Sequence, residues 1–101
     1  MKEGTNKTVL ITGFSSGIGK ALAGEFAKDN YNIIGVARDK GKMEETANDL
    51  SKKGVEVYLI QKDLAQDGAA KEVYEEVKAL GKTIDILVND AGVGQHGKFV
   101  D

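Results

Sequence analysis

Thr8-Val9-Leu10-Ile11-Thr12-Gly13-Phe14-Ser15-Ser16-Gly17-Ile18-Gly19 runs from an apolar, β-branched segment through a glycine-rich turn into a helical pattern. Strand, turn and helix in that order form the opening of a βα unit. The spacing G-x-x-x-G-x-G removes Cβ atoms where an anionic group would approach the backbone and where the helix start must pack close to the sheet. The first N–H groups and the positive dipole end of that helix would then face a phosphate. With thirteen glycines in 101 residues, such spacing arises by chance, so its weight comes from context: further βα units and a second strand ending in a ribose-reading residue.

That context is present. The hydrophobic period predicts a first strand over 8–12 and a first helix over 16–29, with Ile18, Ala21, Leu22 and Phe26 on one face. A second strand follows over 32–37. A second helix spans 40–53, with Met43, Ala47 and Leu50 inward and Gly54 at a left-handed C-cap. The third strand covers 55–61. Asp67 reads as the N-cap of a third helix, whose buried stripe is Ala70, Val73, Val77 and Leu80 and which Gly81 closes. The fourth strand covers 84–88. Apolar strands alternating with one-faced helices imply an α/β fold, a doubly wound Rossmann-type parallel sheet in three layers, here partial, with four strands in the order 3-2-1-4 and three helices. The ends of the first and fourth strands then flank the point where the winding reverses, which places Gly13 and Gly92 beside one crevice. From Gly92 onward the chain is glycine-rich and without period.

Length and composition narrow the function classes. One domain of 101 residues is large enough to bury about two thirds of its unfolded surface. The 41% hydrophobic and 30% charged content is that of a soluble globular protein, without a transmembrane run. With no Cys there is neither a disulfide nor a thiolate metal site, and no metal is expected. Fourteen basic and sixteen acidic residues, spread along the chain to a net charge of −2, provide no basic face, so nucleic acid is not an expected partner. The short polar start, Met1 to Lys7, lacks the apolar core of a signal peptide, which makes cytoplasmic the expected location.

Three signatures in register resemble the short-chain dehydrogenase/reductase family: Thr12-Gly13-x-x-x-Gly17-Ile18-Gly19, Asp63-Leu64 after the third strand, and Asn89-Asp90-Ala91-Gly92 after the fourth. The resemblance covers nearly the whole chain but only the amino-terminal part of the family, whose complete members are more than twice as long. It implies that Gly13, Ser15, Ser16, Gly17, Ile18 and Gly19 form the dinucleotide turn. Asp63 would hold the adenine amino group, with Leu64 beside the ring, and Asn89, Ala91 and Gly92 would line the ribose side of the crevice. The family usually has Asn where Asp90 stands; an ionised carboxylate accepts without donating, so local bracing of the sheet should differ.

Cofactor choice falls at the end of the second strand. Enzymes that use NAD place a carboxylate there for the ribose 2′-OH. Here Ala37 is followed by Arg38, a pairing that suits a 2′-phosphate, and Ser15 adds a hydroxyl, so the expected cofactor is NADP rather than NAD. The competing reading makes Arg38 a solvated charge and Asp39 the ribose acid.

Tyr74-x-x-x-Lys78 has the family's catalytic spacing, in which a lysine one turn away lowers the tyrosine pKa. It precedes the fourth strand instead of following it by a long interval, so it reads as an ordinary i, i+4 surface pair. His96 reads as a solvated loop residue, Phe99 as an anchor for a following helix, and Glu44-Glu45 and Glu75-Glu76 as solvated helix faces. No catalytic residue is therefore expected within 1–101.

The expected function is the NADP-binding segment of an oxidoreductase acting on a carbonyl or alcohol substrate, inactive by itself as a truncated, nicked or naturally short product. Its fourth strand, exposed as an edge, should favour self-association. A non-catalytic nucleotide-sensing or interaction module on the same half fold is the alternative. A flavodoxin-like or receiver domain would need a hydroxyl-rich phosphate loop or an acidic phospho-acceptor pocket, and neither is evident.

Overall fold

The computed structural model describes residues 6–14 and 17–89. Its elements run β1 (Thr8–Thr12), α1 (Gly17–Lys28), β2 (Asn32–Ala37), α2 (Lys40–Ser51), β3 (Val57–Gln61), α3 (Ala69–Ala79) and β4 (Ile86–Asn89). The four strands form one sheet in the order β3-β2-β1-β4, and every pairing is parallel. The expected α/β Rossmann-type topology is therefore present.

Alternation along the strands divides the core into two layers. Val9 and Ile11 of β1, with Ile33 and Ala37 of β2, face Ala23 and Ala27 of α1 and Met43 and Leu50 of α2. Leu10, Ile34 and Val36 point the other way, onto Val73 and Val77 of α3. All five residues of β1 are buried, as a strand paired on both edges and covered on both faces must be.

The elements depart from the sequence expectations in several places, and in α2 Thr46 joins Met43 and Leu50 in the buried stripe while Ala47 is half-buried. Helix α1 buries Gly19, Ala23 and Ala27, not the face of Ile18, Ala21, Leu22 and Phe26. Small residues at i, i+4, i+8 let the helix axis lie close to the sheet, which rotates the bulkier residues to its flanks: Leu22 and Phe26 are half-buried, and Ile18 is 66% exposed. Phe26 still meets Tyr31 edge-to-face, with ring centroids 5.0 Å apart.

Asp67 does not cap α3. The chain enters that helix through Gly68 at φ 80°, without a side-chain cap, and the buried stripe is Ala69, Val73 and Val77, leaving Leu80 41% exposed. Pairing in β3 starts at Val57 and not at Val55, although the Glu56 carbonyl already accepts from the Ile33 amide (2.9 Å). Strand β4 starts at Ile86 and not at Ile84, because the Asp85 carboxylate takes the Thr8 amide (2.8 Å) while the Asp85 amide donates to the Thr8 carbonyl (2.9 Å). A side chain thus replaces a ladder bond at the strand entrance. The expected left-handed residues after the second and third helices are present, Gly54 at φ 87° and Gly81 at φ 74°.

Gly35 interrupts the apolar run of β2, and the Phe14 ring occupies the space above it. A Cβ at position 35 would lie 2.6 and 2.7 Å from the two Phe14 Cδ atoms, and Phe14 is fully buried. Gly35→Ala should therefore cost about 1–3 kcal/mol through overpacking. Phe14→Ala should cost about 3–5 kcal/mol. In chemical denaturation of the double variant the Gly35→Ala penalty should disappear, since the ring that causes the clash is gone; a penalty of equal size in both backgrounds would contradict this packing.

Candidate cofactor site at the carboxyl ends of the strands

Because all four strands are parallel, the residues that follow them collect along one rim of the sheet. Gly13 leaves β1 at φ 66°, a left-handed conformation that turns the chain back toward the start of α1. The Phe14 amide donates to the Val36 carbonyl (3.2 Å), fastening the turn to the last residues of β2. Helix α1 opens at Gly17 with no acidic residue in its first turn, so that turn carries no carboxylate of its own to offset the positive end of the helix. A Cβ at Gly17 would meet no atom within 4 Å among the described residues; the space beside the helix start is open, and a side chain would fill it. Ile18 stands exposed at the same end, while Gly19 is buried. A helix terminus that is open among the described residues and has no acidic residue in its first turn, beside a glycine turn, fits a pyrophosphate. Ser15 and Ser16 lie outside the described residues.

At the end of β2, Ala37 is buried and Arg38 and Asp39 are exposed. Asp39 is the N-cap of α2: its Oδ1 accepts from the Lys42 amide (3.1 Å) and its carbonyl from the Met43 amide (3.1 Å). The ion pairs among the described residues join Lys28 to Glu25, Lys62 to Glu72 and Glu76, and Lys82 to Glu56, none of them involving Arg38.

The third strand end holds Asp63 and Leu64, both half-buried. Asp63 builds its own turn, its Oδ1 accepting from the Ala65 amide (3.0 Å) and its carbonyl from the Gln66 amide (3.1 Å). Leu64 packs against the core layer under α3. Lys62, just before them, reaches Glu72 at 2.8 Å and Glu76 at 3.9 Å, and the hydrogen bond to Glu72 raises its pKa above the ordinary lysine value. At the opposite end of the sheet a similar pair forms: Lys82 bonds Glu56 (3.0 Å), lowering the Glu56 carboxyl and raising the Lys82 ammonium.

Asn89 ends β4 in register with Thr12, across the point where the winding reverses. Asp90, Ala91, Gly92, His96 and Phe99 lie outside the described residues. The topology thus gathers Gly13, Gly17, Ile18, Gly19, Arg38, Asp63, Leu64 and Asn89 along one rim. Tyr74 is not among them. It sits on the outward face of α3, 48% exposed, with the Lys78 Nζ 5.4 Å from its ring centroid as a surface cation–π pair.

Two contributors to the rim were not singled out by the sequence reading. Phe14 occupies a variable position of the glycine turn, and its role was signalled only by the isolated glycine in β2. Gln61, whose Nε2 donates to the Arg38 carbonyl (3.0 Å), carries no sequence signal at all, since a polar residue ending a strand is common. Among the described residues no helix is long and apolar enough to cross a membrane.

Comparisons with known proteins agree with this geometry. The family model for short chain dehydrogenases matches residues 7–101. The 3-oxoacyl-acyl-carrier-protein reductase FabG of Staphylococcus epidermidis is 38% identical over 89 residues, which are 87% of this chain and 36% of that protein. Among solved structures, L-sorbose reductase from Gluconobacter frateurii, complexed with NADPH and L-sorbose, is 40% identical with a TM-score of 0.81, over 93% of this chain and 36% of that one. NAD+-bound xylitol dehydrogenase is 28% identical with a TM-score of 0.77, over 85% of this chain and 33% of that one. The chain spans about a third of the length of these relatives. On the family match, the three signatures in register and the shared topology, this chain belongs to the short-chain dehydrogenase family of oxidoreductases.

Proposed function

We propose that this chain is the NADP-binding segment of an oxidoreductase that transfers hydride between NADP(H) and a small carbonyl or alcohol substrate. The observation that carries the choice of NADP is the contrast at the end of β2. Asp39 has its carboxylate engaged in capping α2, while Arg38 is exposed and in no ion pair among the described residues. A guanidinium offers a 2′-phosphate several donors and a full charge, and the buried Ala37 beside it brings no competing carboxylate. In this reading Gly13, Ser15, Ser16, Gly17, Ile18 and Gly19 hold the pyrophosphate, Asp63 and Leu64 the adenine, and Asn89, Ala91 and Gly92 the ribose side of the crevice. The NADPH in L-sorbose reductase supports the choice, and the NAD+ in xylitol dehydrogenase supplies the rival.

Residues 1–101 bind without turnover in this account, since Tyr74 and Lys78 face away from the rim and the family's Ser, Tyr and Lys have no counterpart here. The bound nicotinamide would supply the hydride; this segment fixes the phosphates and the adenosine. A cytoplasmic location and self-association belong to the same proposal. The second follows from β4, which has no strand on its outer edge among the described residues and leaves Leu87 41% exposed.

Titration by calorimetry should show tighter binding of NADPH than of NADH. Arg38→Asp should remove the preference, a loss of roughly ten-fold or more for NADPH, the scale of one charged hydrogen-bonding partner. Asp39→Asn, which retains the cap, should leave it in place. A preference that survives Arg38→Asp, or NADH binding that collapses in Asp39→Asn, would favour Asp39 as the ribose acid. Sedimentation equilibrium should show mass above the monomer at high concentration; a clean monomer throughout would remove the self-association.

A further inference from the structure

The two residues between β2 and α2, Arg38 and Asp39, are held from both sides. From the helix side, Asp39 caps α2 through its Oδ1 and its carbonyl. From the strand side, β3 reaches across beyond the last register pair, Ala37 with Gln61. The Lys62 amide donates to the Ala37 carbonyl at 2.9 Å, and the Gln61 Nε2 donates to the Arg38 carbonyl at 3.0 Å. Gln61 is exposed, so its amide could have remained in water. It instead fixes the backbone of Arg38, whose guanidinium is proposed to meet the 2′-phosphate.

That placement matters because a long side chain on a mobile backbone loses much of its binding energy to ordering. A flexible connection would let the guanidinium sample positions away from the ribose. Lys62, the next residue after Gln61, is drawn toward α3 by Glu72 and Glu76. We infer that Gln61 is a positioning residue for cofactor discrimination: through its bond to the Arg38 carbonyl it holds the Arg38 guanidinium where a 2′-phosphate binds. Gln61 touches no cofactor atom in this account. The inference rests on the NADP reading above.

The test uses two probes that differ only in the 2′-phosphate, adenosine 2′,5′-bisphosphate and AMP, titrated against the 101-residue chain and its Gln61→Met, Gln61→Ala, Arg38→Met and Gln61→Met/Arg38→Met variants. Losing one solvent-accessible hydrogen bond should weaken the bisphosphate roughly three- to ten-fold in both Gln61 variants while AMP binding stays within about two-fold. In the Arg38→Met background, Gln61→Met should no longer change the ratio of the two affinities, because the group being positioned is absent. A general loss of structure would lower both affinities together, so an equal loss of both ligands would overturn the inference. An unchanged ratio in the Gln61 variants, with a reduced ratio in Arg38→Met, would overturn it while leaving the NADP reading intact. An unchanged ratio in Arg38→Met itself would overturn both.

Discussion

The Phe14 ring seated on the bare backbone of Gly35 joins the glycine turn to β2, and the rest of the site depends on that contact. The fully buried ring occupies the volume a side chain at position 35 would need. The Phe14 amide adds a bond to the Val36 carbonyl, two residues before Arg38. Fixing the turn therefore also fixes its distance from the end of β2. Two regions proposed to read different parts of one ligand, the pyrophosphate and the 2′-position, are thereby held to a common frame. Interiors packed at crystal-like density transmit such constraints with little slack.

The layers extend the same constraint. Strand β1 is buried along its whole length, and small residues on α1 bring that helix close above it. This approach lets the helix start and the turn before it face the rim. Helix α3, on the opposite layer, anchors the third strand end instead, through Leu64 packed under it and through Lys62 held by Glu72 and Glu76. Exposed pairs of this kind add little to stability. Their effect here is on direction, since they draw the Lys62 side chain toward α3.

Much of this was legible in the sequence. The limits of β1 and β2, the strand order and the gathering of Gly13, Gly17, Gly19, Asp63, Leu64 and Asn89 along one rim follow from apolar runs, helical period and the parallel-sheet rules. What escaped reading has local physical causes. On α1, hydrophobic period favours the bulky residues, whereas close packing buries Gly19, Ala23 and Ala27. Asp67 matched a cap by type, but the left-handed Gly68 next to it is the N-cap, and α3 starts at Ala69. Ile84 and Asp85 read as strand, yet the Asp85 carboxylate occupies the Thr8 amide that a ladder would use. The bond from Gln61 to Arg38 is a tertiary contact between residues 23 apart, and no single-sequence signal encodes it.

The central claim is that one dinucleotide spans the rim from the start of α1 to the ends of β2 and β3. Amide chemical-shift mapping during titration with NADPH tests it most directly. The account predicts that the shifted resonances cluster at Gly13, Gly17 to Gly19, Arg38 and Asp63, with Glu56 and Lys82 at the far end of the sheet unmoved. Shifts centred on that far end, or no shifts at saturating NADPH, would contradict it.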